Sequence, residues 1–431
     1  MNSLRNHKKK KKRQKTEKHF LSSTENRLPD FTGGRFSIYF AGMENNEETY
    51  SLCALNRIFG FEPKAAHALL SHFGNAAEIF RMTEKELDMV IGPWSKYKGK
   101  ICPRAVEEAA RELESLSSGH ISFIGCTEPG YPELLLDCED APVGLYVRSL
   151  TPLRELFASK RRIAVVGTRD ISPYGQEWCA RIVQGLGRVQ EKPAIVSGLA
   201  LGTDICAHIQ AVESGMPTIA VMATGPESVY PHRHREFAER LVSTEGCALI
   251  TDYPPGTAPL AIHFLRRNRI IAGLSDSNIL VESRAKGGGM MTARLAYSYN
   301  RDVYALPGRI DDLRSQGCNA LIRDKVAEPI DSVERMIADM GFGTVKTEPQ
   351  TSLSEMLLTL FGEKAGPSVI RELAEVVKII RRHRGITLDD LTAMTGSNYS
   401  RINQLTGMLE MEGVISVDLL QRCTLNIRIS R

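Results

Sequence analysis

The sequence predicts an α/β protein built on a doubly wound parallel sheet, and three observations carry that expectation. From residue 161 onward, six short, continuously apolar runs recur: IAVVG (163–167), AIVSG (194–198), TIAVMAT (218–224), ALITD (248–252), NILVES (278–283) and DVYALPG (302–308). A strand buried on both faces has this character, whereas a half-exposed strand would alternate. Helix-length segments separate the runs, which points to βα units joined by crossovers. Finally, the polar and glycine-rich motifs cluster where the runs end, and open parallel sheets bind ligands beyond the carboxyl ends of their strands.

The elements before the sheet are of a different kind. Residues 1–46 form a basic leader expected to be disordered. KKKKKRQK spans Lys8 to Lys15, and residues 1–42 carry a net +8 within a chain of net +4, leaving −4 for the remainder. The leader reads as a disordered tail, untranslated if initiation occurs at Met43, or else as an arm for nonspecific phosphate contacts. Residues 47–120 place apolar side chains at spacings of three and four, with Gly60 and Gly74-Asn75 at turns. That pattern suits a helical SAM-like or helix-hairpin-helix bundle, either a packing module or one offering backbone N–H groups to a phosphate. Residues 121–160, with GYPELLLDCEDAPVGLYV, read as a connector, and 161–330 hold the sheet. Residues 331–366 read as a linker that includes TVKTEPQTS. Residues 367–431 follow the order helix, turn, helix, strand, wing, strand of a winged helix.

Bulk composition narrows the function classes. No apolar run approaches the roughly 18 residues of a membrane span, and no apolar segment follows the leader's charges as in a signal peptide. The nine cysteines have no CxxC or Cys/His ligand spacing, which points to reduced thiols in a cytoplasm and away from a zinc site. A nucleic-acid partner must be sought in local clusters, because the body of the chain is slightly acidic.

Four such clusters lie at the predicted strand ends. VGTRDISPYG (166–175) has Gly167, Thr168 and Arg169 ahead of a helix that includes Tyr174. The N–H groups of that helix favour an anion. SGLALGTD (197–204) has Ser197, Gly198 and Gly202, with Asp204 positioned to cap the next helix. HFLRRNRIIAGLSD (263–276) crowds Arg266, Arg267 and Arg269 around Asn268, next to Phe264 and ahead of the apolar Ile270–Leu274. A desolvated guanidinium needs a partner, so these arginines meet either protein carboxylates or an anion from outside. ESRAKGGGMMTAR (282–294) sets Lys286, Gly287, Gly288 and Gly289 before a helix expected from Met290, with Thr292 in its first turn. His208, His232, His234 and His263 are candidates for phosphate hydrogen bonds only. No GxxxxGK[ST], GxGxxG or GxSxG occurs, which speaks against a P-loop ATPase, a dinucleotide oxidoreductase or a serine hydrolase.

VGTRDISPYG, SGLALGTD, YPPG (253–256), RRNRIIAGLSD, GGGMMTARLA, VYALPGR and SQGCNALI, in this order, resemble the DNA processing protein A (DprA, or Smf) family over roughly residues 47–430. The resemblance implies an extended Rossmann-like core that binds single-stranded DNA, protects incoming DNA in natural transformation and loads the recombinase RecA. It also implies a homodimer through that core, with no cofactor and no catalysis. By that resemblance, Gly167, Thr168, Arg169, Tyr174, Ser197, Gly198, Phe264, Arg266, Arg267, Asn268, Arg269, Lys286, Gly287, Gly288, Gly289 and Thr292 form the single-strand site. Phosphates would rest on the Gly167, Gly198 and Gly288 backbones, while Phe264 and Tyr174 would stack on bases. Leu265, Thr203, the three glycines at 287–289 and ATGPESVYPHRHREF (223–237) depart from the family pattern. Two rival classes remain. GGGMMT is similar to the loop of LOG-type nucleotide phosphoribohydrolases, but Ala293, Arg294, Leu295 and Ala296 follow Thr292 where an acidic residue is needed. A duplex-reading regulator would use SNYSRINQLTGMLEMEG, which has Arg401 as its one cation.

Overall fold

The computed structural model describes residues 45–157, 161–343, 353–362, 364–383, 385–418 and 421–425. The basic leader up to residue 44 and the TVKTEPQTS segment at 344–352 lie outside the described residues. The chain divides into two compact units, the first holding the N-terminal part to Arg148 with 225–227 and 251–257, the second holding the rest.

The first unit is helical, with Asn45–Phe59, Pro63–Phe73, Ala76–Arg81, Glu84–Ile91 and Pro103–Leu116. Leu52, Leu55, Phe59, Ala66, Leu69, Ile79 and Phe80 are buried, as the three-and-four spacing predicts. The short third helix is held at its start by a carboxylate from the first: Glu48 accepts from Ala76 N at 2.8 Å and Ala77 N at 3.0 Å. Thr83 and Glu86 close a capping box on the fourth. Residues 121–148, expected to be a connector, contain an antiparallel pair instead. Strand β1 (Ile121–Gly125) runs beside β2 (Gly144–Arg148), with Ile121 opposite Arg148 and Gly125 opposite Gly144. A side chain at Gly144 would collide with the Phe123 ring, so glycine is required there.

The second unit holds β3 (Arg162–Val166), β4 (Ala194–Ser197), β5 (Thr218–Val221), β6 (Ala248–Thr251), β7 (Ser277–Leu280), β8 (Asp302–Ala305) and β9 (Glu328–Pro329). They lie in the order β6-β5-β4-β3-β7-β8-β9, and every neighbouring pair is parallel. The first six match the six apolar runs of the sequence. The chain steps from β3 to β6 in one direction, then from β7 to β9 in the other. The crevice between the carboxyl ends of β3 and β7 is therefore the topological switch point.

Alternation along the strands sets two faces. Ile163, Val165, Ile195 and Ile279 pack against Cys179, Ile182 and Leu186 of helix Pro173–Leu186, Ala207 and Ala211 of helix Thr203–Glu213, and Val333 and Ile337 of helix Val333–Asp339. The last of these helices lies within the expected linker 331–366, as does Leu353–Phe361. Leu280 points the other way, close beneath Gly289 of helix Gly288–Ser298, which packs against helix Ala261–Gly273. The helix expected from Met290 thus starts two residues earlier. Beyond residue 353, helices Pro367–Arg382, Leu388–Thr395 and Tyr399–Met411 surround their own core with a three-stranded antiparallel sheet. Its strands β10 (Ile386–Thr387), β11 (Ile415–Val417) and β12 (Arg422–Leu425) lie in the order β10-β12-β11. All nine cysteines are free. Among the described residues, no helix is long and apolar enough to cross a membrane.

Leu186 lies at the centre of the larger core. Replacing it with alanine is expected to cost about 2–5 kcal/mol in urea unfolding. Leu265→Ala, at an exposed position, is expected to stay within about 0.5 kcal/mol.

Candidate nucleic-acid interface

The carboxyl edge of the sheet is organised around one buried cation. Arg267, on helix Ala261–Gly273, is 4% exposed. Its Nη1 donates to the carbonyl of Gly198 at 2.6 Å and to that of Val221, and its Nε donates to Asn268 Oδ1 at 3.3 Å. The guanidinium therefore bridges the ends of β4 and β5. Asp204, in the first turn of helix Thr203–Glu213, is the nearby carboxylate. Burial raises its pKa, and the Arg267 charge works against that rise. The question left by the sequence is thus answered for Arg267: its partners are internal.

This changes the reason for Gly198. A side chain there would collide with the Arg267 guanidinium, so the glycine makes room for an arginine and not only for a ligand. Gly167 is constrained in the same way by Thr203, and Gly202 (φ +75°) by the Thr168 carbonyl. Leu199, next to Gly198, adopts φ +56°, an uncommon conformation for a leucine. Its carbonyl accepts from His234 Nδ1 at 2.9 Å. Asp204 does not cap its helix; it accepts from Ala200 N at 3.4 Å.

His208 shows how strongly the cation governs its surroundings. It is fully buried, and its Nδ1 lies 2.7 Å from Thr218 Oγ1. The Thr218 hydroxyl donates to Ile195 O at 2.8 Å, so it accepts from Nδ1–H. The other ring nitrogen, Nε2, has no hydrogen-bond partner. A proton there would bring an unpaired charge into the interior. Burial, then the Arg267 and His234 charges, push the His208 pKa down to about 3.

Three helices start at this edge, and each meets the anion preference of its N-terminus differently. For helix Pro173–Leu186 the anion is Glu282. Its carboxylate accepts from Ser172 N at 2.9 Å and from Ser172 Oγ at 2.5 Å, and it occupies the space a side chain at Gly175 would need. The expected ligand phosphate at this helix is thus replaced by a protein carboxylate. Helix Thr203–Glu213 carries Asp204 in its first turn. Helix Gly288–Ser298 has neither a side-chain cap nor an acidic residue in its first turn, and Gly288 faces open space. Lys286 and Arg284 are exposed just ahead of it.

Two exposed side chains, Arg169 and Tyr230, and the half-buried Phe264 complete the arrangement. The Arg169 guanidinium lies over the Phe264 ring, 5.1 Å from its centroid. Phe264 in turn lies 5.3 Å from the Tyr230 ring, at 60°. Arg169, Phe264 and Tyr230 follow β3, β6 and β5 and form a cationic and aromatic row. Tyr230 lies in the segment that departs from the family pattern, which hid it from sequence reasoning. Tyr174 donates to Pro307 O at 2.8 Å and sits beside Trp178.

Most of the other sequence candidates are buried or half-buried. Ser197 is buried and donates to Val165 O at 2.6 Å. Thr292 is buried with its hydroxyl facing Gly288 O at 3.5 Å. Asn268 and Arg269 are buried, and Arg266 is half-buried. Gly287 is held by Ser283, and Gly289 by Leu280 and Gly167. His263 bonds the Ala258 carbonyl at 2.9 Å, and His232 is exposed. Glu282 and His234 were not singled out as internal partners. The absence of any carboxylate in the first turn of helix Pro173–Leu186 was the available signal for Glu282.

Two expected outcomes follow from the buried groups. Arg267→Ala should destabilise the fold by about 3–5 kcal/mol in chemical denaturation, since it strips a partner from buried polar groups. Arg169→Ala should leave stability nearly unchanged, as expected of an exposed site. The folded pKa of His208 lies below its ordinary value of 6.5, at about 3. Its contribution to stability is therefore complete above pH 6.5 and is lost as pH falls toward 3. Unfolding free energy measured across that window should fall more steeply in the wild type than in His208→Gln.

Comparison with known proteins agrees with this architecture. Residues 122–341, just over half of the chain, match the model of the DNA recombination-mediator protein A family. The chain is 32% identical over 304 residues to Protein Smf of Synechocystis, covering 69% of this chain and 74% of that one. It is 36% identical over 212 residues to DNA processing protein DprA of Streptococcus pneumoniae, covering 49% of this chain and 72% of that one. The X-ray structure of the S. pneumoniae DprA superposes with a TM-score of 0.55 at 30% identity, covering 68% of this chain and 97% of that chain. On these matches and the Rossmann-like sheet, the chain belongs to the DNA processing protein A (DprA/Smf) family of DNA recombination mediators.

Proposed function

We propose that this protein binds single-stranded DNA at the carboxyl edge of its parallel sheet, shields incoming strands during natural transformation and hands them to RecA. The observation that carries the reading is the row of the exposed Arg169 and Tyr230 with the half-buried Phe264 between them. Such a row offers stacking faces and positive charge, which together suit an unstacked strand of any sequence. The open N-terminus at Gly288, with Lys286 beside it, supplies a seat for a phosphate. Arg267 acts from behind, by holding the helix that bears Phe264.

The rival readings are weaker on specific grounds. A phosphoribohydrolase would need a carboxylate free to act on its substrate, and Glu282 is committed to Ser172. A duplex reader would use helix Tyr399–Met411, which offers Arg401 as its one cation and also carries Glu410. The expected winged-helix role of residues 367–431 accordingly shifts toward protein contact. For the homodimer, the supporting feature is a set of exposed apolar side chains on two adjacent helices: Ile262 and Leu265 on one, Met291 and Tyr297 on the other.

Fluorescence anisotropy of a labelled dT oligomer and a matched duplex, across a salt series, tests the reading. The single strand should bind more tightly. With four to six phosphates contacted, log affinity should fall with log salt at a slope of roughly −3 to −4. Arg169→Ala/Lys286→Ala should weaken binding and reduce that slope by about 1.4. Equal binding of both DNAs, with the double variant unaffected, would remove the sheet edge as the site.

A further inference from the structure

The helical unit displays a feature that the sheet edge does not absorb. Trp94, between helices Glu84–Ile91 and Pro103–Leu116, is 96% exposed, the most exposed large apolar side chain among the described residues. Leaving an indole in water forgoes a large burial gain, so its position asks for a partner.

The segment that carries it is firmly built. Tyr97 packs on Phe59 with ring centroids 4.2 Å apart, and Ile101 is buried. Backbone bonds from Ser95 N to Gly92 O (3.1 Å), Lys98 N to Ser95 O (3.2 Å) and Ile101 N to Tyr97 O (3.2 Å) fix successive turns. The indole is thus presented on an ordered support.

The same segment is rich in cations. From Gly92 to Val106 the sequence contains Lys96, Lys98, Lys100 and Arg104, and Glu107 and Glu108 follow directly. Lys96 pairs with Glu62, Lys98 with Asp88 at 2.7 Å and Arg104 with Glu108 at 2.9 Å. Exposed or half-exposed pairs of this kind contribute little, so a phosphate can replace the carboxylate at small cost. Lys100 and Arg104 also line a cleft of about 370 Å³, together with Arg57, Cys102 and Glu108, the carboxylate that pairs with Arg104. In the chain Trp94 follows Pro93 and precedes Ser95, and Lys96, Lys98 and Lys100 come next. These cations favour a nucleic acid over an apolar protein surface.

We infer that Trp94 is a base-stacking platform, with the Lys100–Arg104 cleft seating an adjacent phosphate, so that the helical unit holds a second contact for single-stranded nucleic acid. A duplex buries its base faces, which makes the contact selective for a single strand. The inference extends the single-strand reading above, but it rests on different residues.

Tryptophan fluorescence tests it directly, because the chain has two tryptophans, Trp94 and Trp178. In a full-length Trp178→Phe background, the emission reports Trp94 alone. Titration with a dT oligomer, followed in parallel by anisotropy of the labelled strand, should quench Trp94 to saturation. Trp94→Ala should weaken binding roughly 5- to 100-fold, and Trp94→Phe should recover most of it. Lys100→Ala should lower the salt slope by about 0.7. Unchanged Trp94 emission while anisotropy reports a bound strand would overturn the inference and leave the sheet-edge site standing. Quenching that persists while Arg169→Ala/Lys286→Ala binds like wild type would do the reverse. A chain that binds no dT oligomer would overturn both.

Discussion

The Arg267 guanidinium, closed off between the ends of two strands, is the constraint on which the rest of the sheet edge depends. Taking such a charge out of water costs several kcal/mol unless geometry and hydrogen bonds compensate. Here the compensation comes from the Gly198 and Val221 carbonyls and the nearby Asp204 carboxylate. Each of these obliges something else. Gly198 must lack a side chain, and the turn that follows places Leu199 in a left-handed conformation held by His234. His208 must remain neutral beside the same charge. Phe264 precedes Arg267 by one helical turn and so shares its face of the helix. Anchoring the arginine therefore fixes where the aromatic ring emerges, beneath Arg169 and beside Tyr230.

A second constraint sorts the helix N-termini. All three helices at this edge present unsatisfied N–H groups, and an anion at such a position is stabilising. Two of them already have a carboxylate from the chain close by: Glu282 bonds Ser172 at the start of one, and Asp204 lies in the first turn of the other without capping it. The third starts at Gly288 without one, with a lysine and an arginine exposed just before it. The chain thus places its own negative charge at two of these termini. The third remains accessible to an anion from outside, and it lies at the switch-point strand β7.

The strands were legible because a strand covered on both faces has no alternation to confuse it with a helix, and six apolar runs became six parallel strands. The hairpin at 121–148 was not. ISFIG and GLYVR are equally short and apolar, but they pair antiparallel across a long, turn-rich connection, outside the βα rhythm that made the others visible. The glycine positions were legible as places but not as causes. What excludes a side chain at Gly198 lies 69 residues away, and at Gly167 it is Thr203. The same non-locality concealed the burial of Arg267. An RRNR sequence suggests solvent-facing charge, and only the fold turns the second and third of these arginines inward.

That inward turn bears on the kind of recognition the edge can perform. Reading a base requires donors and acceptors aimed at its edge, and amides and hydroxyls are the side chains that supply them. At this edge, Ser197, Thr292 and Asn268 are all buried, and Ser197 and Asn268 are bonded within the protein. What faces outward instead is a guanidinium, an ammonium, two aromatic rings and an open helix terminus. Those groups act on charge and on π-faces, which every nucleotide has in common. Under the proposed single-strand reading, a site so composed would discriminate strand from duplex far better than one base from another. A mediator that accepts whatever strand arrives would need that selectivity and no more.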